Sequence, residues 1–483
     1  MTESTQATPS TPALTDRSLL RSAWWMTGSN LVAQSLTYGS LIVLARWLSP
    51  NSFGTVAVAT AIVGVGVLFV DQGTWGAVIV EPELSRADLT RALWRCLLTG
   101  VVLAVAMAAA ASTVVDRFAA GGDAAAVAVI AICLPLHAVA VVPTALLQRS
   151  MQFGLLAGLT AVANVTSALV AVLVALDGLG LWALVARQLV LYGTLAVLSS
   201  VLCLPALRAH VPRSGHARRR HGQRIERWFF LFTVSHSVTS SLDKLIIGVF
   251  SNAGLVGMYS IAITIAMAPW TQFSAQVGKV LFAAAASQPE SCSERTEQSV
   301  KLMSMLMLPL LPVGILIAPT VLPGVLGPEW QPMVPVFQVL LVVGIGNAVI
   351  NCIAEPLTGK GYMPFRAKVM VAQCVATVTA LGILVPIGGI LGAALAQLLV
   401  FLPCATVFFT AGARRADTST EALWRSLRPV AVAFVVQLVV SSAVLIGLLA
   451  SGATDSVSAC VAAVAGLLAV GPVLWRTLGR IRS

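Results

Sequence analysis

Six formally charged side chains fall inside stretches that are otherwise apolar: Asp71, Arg187, Asp243, Lys244, Lys279 and Glu355. At the centre of a bilayer each costs on the order of 2.5 to 3.5 kcal/mol, so all six must face protein or water. Two arrangements meet that demand. One is internal ion pairing, three acids against three bases, that locks helices together. The other is a water-filled cavity in which the charges meet a substrate. Lys279 and Glu355 have a further option, because both lie far along long spans and can extend toward an interface.

Neutral polar residues recur at helical spacing around these charges. Asn30, Gln34 and Tyr38 repeat every fourth residue, and His236, Ser240, Asp243 and Lys244 fall on one helical stripe. Asp71, Thr74 and Trp75 share a face, as do Gln272, Gln276 and Lys279 below Pro269 and Trp270. Hydrogen bonding between membrane helices accounts for any single Asn or Gln. Four stripes on four helices suit a lined chamber better. The chemistry such a chamber fits is phosphate and sugar: Arg and Lys neutralise phosphate oxygens, Asn, Gln and Asp bond hydroxyls, and Trp offers a flat face to a pyranose ring. His236 fits an interhelical hydrogen bond, although its ordinary pKa also permits proton transfer.

The elements that position these groups are read from hydropathy. The 483 residues are 58% hydrophobic and only 10% charged, too few polar groups to cover a water-soluble surface. Taking about 20 apolar residues per crossing, about fourteen spans are expected. They lie near 21–46, 53–80, 88–112, 124–146, 154–176 and 179–205, then 228–250, 254–286, 299–321, 331–357, 365–386 and 389–411, and finally 427–450 and 456–475. The expected fold is therefore an all-α polytopic membrane protein with two six-helix lobes and a C-terminal helix pair. Its expected units are a disordered tail over 1–16, an N-lobe over 17–205, a basic linker over 206–227, a C-lobe over 228–411, and a helix pair with tail over 412–483.

Basic residues orient the ladder. Of 30 Lys and Arg, 25 sit in every second gap, only Arg46 and Arg117 occupy the opposite gaps, and three lie inside spans. Basic loops stay on the cytoplasmic side, so both termini are expected there, in a multi-pass inner (plasma) membrane protein. The net charge of +11 follows this insertion rule and does not point to nucleic acid. Arg46, at an outer helix end, reads as a helix cap or interfacial charge. Eight Cys lacking any CxxC pair read as small buried side chains. No nucleotide-binding, metalloprotease or hydrolase motif is present, so neither an enzyme nor a cofactor is expected. A weak repeat relates Leu48, Ser49, Phe53 and Gly54 to Phe250, Ser251, Val256 and Gly257, each set joining an odd span to an even one. That pattern suits two parallel halves.

Four blocks carry a family resemblance: ARWLSPNSFGTVAVATAIVGVGVLFVDQGTWGAVIV at 45–80, LLQRSMQFGLLA at 146–157, LDKLIIGVFSNAGLVGMYSIA at 242–262 and APTVLPGVLGPEWQPMVPVFQVL at 318–340. In order and spacing they resemble the Wzx-type polysaccharide flippases of the multidrug, oligosaccharidyl-lipid and polysaccharide exporter superfamily. The resemblance implies a MATE-like fold with a cavity between the lobes. It also implies translocation of polyprenyl-pyrophosphate-linked oligosaccharide between leaflets by alternating access. On that footing Arg187, Lys244 and Lys279 are candidates for the pyrophosphate. Asn30, Gln34, Tyr38, Trp75, Gln272 and Gln276 are candidates for the glycan, and Asp71, His236, Asp243 and Glu355 for coupling or ion pairing. Expected partners are the lipid-linked substrate, membrane lipids, a polysaccharide polymerase and a chain-length regulator. The competing readings are a lipid II flippase, a cation-coupled drug exporter, and a nontransporting scaffold of a polysaccharide synthase.

Overall fold

The structure, a computed structural model, describes residues 36–71, 74, 78, 85–150, 152–208, 219–268, 271, 274, 277, 278, 281, 292–415, 420–450, 458, 459 and 461–469. Regular structure among them is helical throughout. The first half contains α1 (36–47), α2 (Pro50–Asp71), α3 (Arg86–Ala109), α4 (Ala111–Phe118), α5 (Ala124–Ile130), α6 (Cys133–Arg149), α7 (Phe153–Leu176) and α8 (Leu181–Arg208). The second contains α9 (Arg219–Phe250), α10 (Ala253–Ala266), α11 (Cys292–Met307), α12 (Leu310–Leu326), α13 (Val334–Gly359) and α14 (Met363–Val407). Helix α15 (Thr420–Ala450) follows, and residues 461–469 are helical.

Each expected span coincides over part or all of its length with described helix, and eight helices among the described residues are long and apolar enough to cross a bilayer. Helix α14 contains two of the expected spans, joined where Gly389 takes φ +55°. A residue without Cβ adopts that conformation at little cost, so the GlyGly pair turns the chain with no loop. The fourth span is divided between α5 and α6 at Ala131 and Ile132, and the ninth between α11 and α12 at Leu308 and Pro309. The expected linker is shorter than its sequence suggests, because α8 continues to Arg208 and α9 begins at Arg219. The stretch RRHGQRIER is composed mostly of good helix formers and extends the span outward.

Trp94, Leu98, Val102 and Val105 form an exposed stripe on α3, and Leu169, Leu173 and Leu176 another on α7. Such surface is stable against lipid tails, not against water. The interior is built from small residues at close helix crossings, with Tyr259 and Trp330 among its largest fully buried side chains.

Candidate functional site

The two halves meet most closely on the face that is poor in Lys and Arg. Helices α2 and α10 cross there with backbone against backbone. A methyl built on Gly54 would run into the Ala253 carbonyl, and one on Gly257 into the Pro50 carbonyl and the Gly54 nitrogen. The glycines of the weak sequence repeat are therefore the two sides of one seam. Beside it the Ala253 N–H donates to the Ala120 carbonyl at 3.2 Å.

Arg46 and Trp330 complete the closure. The last carbonyls of any helix lack partners within it, and Arg46, at the end of α1, donates to those of Gly324 (2.9 Å) and Val325 (3.2 Å) in α12. In return the buried Trp330 indole donates to the Ala45 carbonyl at 3.1 Å, with its ring edge against Phe53. Arg46 is a cap, as expected, but for a helix of the opposite half. Deeper between the halves, Tyr38 Oη and Thr271 Oγ1 lie 3.4 Å apart, so one of the predicted glycan residues does bridge the first and eighth spans.

The intramembrane acids divide into separate pairs. Asp71 Oδ1 stands 3.2 Å from His137 Nε2, linking α2 to α6. Asp243, almost completely buried, lies 3.5 Å from its neighbour Lys244, whose Nζ donates to the Ser240 carbonyl at 2.8 Å. Glu355 accepts from Arg366 at 2.7 Å, and the same guanidinium donates to Thr358 Oγ1 at 2.7 Å and covers the Phe232 ring at 4.7 Å. The ion-pair alternative thus describes the acids. Arg187 differs, because it is half-buried in α8 and, among the described residues, no acid pairs with it. Six residues separate Arg187 from the start of α8 at Leu181 and Lys244 from the end of α9 at Phe250. At about 1.5 Å per residue, both cations sit ~9 Å below the Arg-poor ends of their helices.

His236 is exposed on α9, its ring stacked parallel to Phe232 with centroids 6.2 Å apart. Asn30, Gln34, Trp75, Gln272, Gln276 and Lys279 lie outside the described residues. Sequence reasoning missed His137, Arg366, Trp330 and the seam glycines. Of these, His137 carried a signal, being an imidazole in the apolar run CLPLHAVAV.

The arrangement places the chain in a class of helical membrane transporters. The solved inward-closed form of the lipid II flippase MurJ superposes with a TM-score of 0.75 at 9% identity, covering 95% of this chain and all of that one. An inward-facing multidrug MATE transporter gives 0.56 at 15% identity, covering 80% and 98%. At such identities the likeness concerns the fold, which is MurJ- and MATE-like. Residues 43–335 match the family model described as polysaccharide biosynthesis protein, and the chain belongs to that family. It is a multi-pass membrane transport protein of the Wzx flippase type and not an enzyme. Among curated relatives, the lipopolysaccharide biosynthesis protein WzxC of Escherichia coli K12 is 24% identical over 402 residues, 78% of this chain and 77% of that one. The succinoglycan biosynthesis transport protein ExoT of Rhizobium meliloti 1021 is 27% identical over 180 residues, about a third of each chain.

Proposed function

We propose that this protein moves polyprenyl-pyrophosphate-linked oligosaccharide repeat units from the cytoplasmic to the outer leaflet of the plasma membrane, by alternating access between two lobes, for cell-surface polysaccharide synthesis. Both termini are cytoplasmic in this reading, because the Lys- and Arg-rich gaps all fall on one face. The seam at Gly54 and Gly257 then closes the outer face. Arg187, Lys244 and Lys279 hold the pyrophosphate. Tyr38 and the polar residues at 30, 34, 75, 272 and 276 line the path of the glycan, and the prenyl tail remains in lipid. Asp71, His236, Asp243 and Glu355 serve coupling or tie helices together. A polysaccharide polymerase and a chain-length regulator are its partners downstream.

The observation that carries this reading is Arg187. A guanidinium within a membrane helix needs an anion, every intramembrane acid described has another partner, and a pyrophosphate supplies the missing charge. The test is flipping of a lipid-linked oligosaccharide by the purified chain in liposomes. Losing a charge-assisted bond costs about 1.5 to 3 kcal/mol, so Arg187→Gln should lower flipping by at least about tenfold while the protein remains folded. Undiminished flipping by that variant removes the pyrophosphate assignment. No lipid movement by the parent chain favours a scaffold, whereas export of cationic dyes or lysis on depletion favours the drug-exporter or lipid II reading respectively.

A further inference from the structure

We propose that the inner ends of α9 and α14 form a binding site for an anionic membrane phospholipid, with Lys368 and Arg415 on its phosphate and the apolar stripe below Lys368 along its acyl chain. The inference takes only the orientation of the chain from the reading above and does not depend on what the protein transports.

Four observations converge on this place. First, its charge is unbalanced. Residues 227–236, 355–368 and 413–415 hold Arg227, Lys360, Arg366, Lys368, Arg414 and Arg415 against the carboxylate of Glu355. Glu226 and Asp417, which flank these segments in sequence, leave the excess positive. Glu355 is already engaged, since it accepts from Arg366 at 2.7 Å. Among the described residues no acid pairs with Lys368 or Arg415, and both are exposed.

Second, these two cations are held on rings. Lys368 Nζ lies 5.7 Å from the centre of the Trp228 ring of α9, and the Arg415 guanidinium lies 4.3 Å over Phe365 of α14. A ring face attracts a cation without using up its N–H groups. Arg415 gives one donor to the Ala411 carbonyl at 2.8 Å. A guanidinium has five donors and an ammonium three, so most remain for phosphate oxygens. Retention of basic loops requires charge on this face of the membrane, but it does not require charges seated on the rings of neighbouring elements.

Third, the spacing suits one headgroup. Phe365 and Lys368 are three residues apart on α14, so their side chains start about 5 to 6 Å from each other. Arg415, over Phe365, and Lys368 therefore flank one turn of the helix. Arg366 takes no part, because Glu355, Thr358 and the Phe232 ring already engage its guanidinium.

Fourth, apolar surface begins where the cations end. Val371 and Val375 continue the Lys368 stripe at i+3 and i+7 and are exposed, as are Phe229 and Phe230 beside the half-buried Trp228. A small soluble anion makes no contact with that surface, whereas an acyl chain covers it. An indole at the junction of charge and hydrocarbon matches the level of the headgroups, and the cytoplasmic leaflet supplies anionic ones. A headgroup on Lys368 keeps the ammonium over Trp228, so the bound lipid reinforces the contact between α9 and α14.

The test uses the full-length chain purified in detergent and titrated with dioleoyl phosphatidylglycerol or dioleoyl phosphatidylcholine, which share their chains and differ in charge. Retained lipid is counted by native mass spectrometry. Each Lys or Arg near a membrane surface strengthens anion binding about fivefold, so phosphatidylglycerol should bind at least about fivefold tighter than phosphatidylcholine. Lys368→Gln and Arg415→Gln should each lower the affinity for phosphatidylglycerol about fivefold and leave that for phosphatidylcholine unchanged. Lys368→Arg should restore it. Arg91→Gln removes an exposed cation of the same face that pairs with Asp88 and should change nothing. Equal retention of the two lipids, or an equal loss in Arg91→Gln, overturns the proposal. So does displacement of phosphatidylglycerol by glycerol phosphate at the same concentration, which would mark a site for a free phosphate, or by polyprenyl pyrophosphate, which would mark an entry point for substrate.

Discussion

The closest test of the seam is to add one methyl group to it. An alanine side chain at position 54 would stand 2.9 Å from the Ala253 Cα, with the Ala253 carbonyl nearer still. One at position 257 would stand 2.8 Å from the Gly54 nitrogen and 3.0 Å from the Pro50 carbonyl carbon. Carbon atoms pack comfortably at about 3.5 to 4.0 Å, and the nearer carbonyl oxygens set the larger demand, so the helices must separate by about 1 to 1.5 Å. The obstacles are backbone atoms, which cannot rotate away. Overpacking of this kind costs about 1 to 3 kcal/mol. The cost falls on the closed seam alone, so the ratio of closed to open molecules should drop by about 5- to 150-fold. The assay is labelling of Val256→Cys, a buried position on α10, by an impermeant maleimide added outside intact cells. Gly54→Ala and Gly257→Ala should each raise labelling to that extent and depress export. Gly158→Ala on α7, where a methyl meets nothing within 4 Å, should change neither. If Gly54→Ala accumulates normally in the membrane and labels no faster than its parent, the seam is not a moving contact and the reasoning fails.

Other substitutions probe the same closure and the pairs beneath it. Arg46→Leu strips two carbonyls of α12 of their donor, worth about 1.5 kcal/mol for a solvated charge-assisted contact, and should raise Val256→Cys labelling about tenfold. Trp330→Phe keeps the edge contact with Phe53 but orphans the Ala45 carbonyl. A loss of about 1 kcal/mol is expected, seen as a threefold to tenfold rise in the same assay. Arg366→Leu leaves the Glu355 carboxylate without its cation in a site still 25% exposed. Removing one partner of a fully buried pair costs about 3 to 5 kcal/mol. The exposure lowers the figure to about 2 kcal/mol, to be read as a fall in the thermal unfolding midpoint in detergent, while Arg366→Lys should recover part of it.

Much of the fold was legible because lipid leaves a chain few choices. A crossing needs a long apolar run with its backbone bonds satisfied internally, so spans appear directly as runs, and even the turn at Gly389 was marked by the GlyGly pair at 388 and 389. The candidate site was legible only in its residue types. Helical periodicity places Asp71 on a face but does not say which helix lies opposite, and so His137, 66 positions away, went unnoticed. The same limit hid Arg366 from Glu355, although only 11 residues separate them, because a helix end and a turn stand between. Arg46 shows the limit most plainly: its role as a cap followed from its place at a helix terminus, whereas the helix it caps begins more than 260 residues later at Leu310.

The seam and the charges follow different logic, and the difference bears on how the protein works. The seam is built from matching pieces of the two halves, Gly54 against Ala253 and Gly257 against Pro50, and parting it also breaks the bonds that Arg46, Trp330 and the Ala253 N–H make across it. The charges are not matched. The pairs at Glu355 and Asp243 use a guanidinium and an ammonium, while the one at Asp71 uses an imidazole. A joint that only opens and closes has no preferred direction of its own. Direction must come from the side on which a ligand is gained and lost, and in the proposed reading that ligand is the lipid-linked substrate, whose negative charge Arg187 meets.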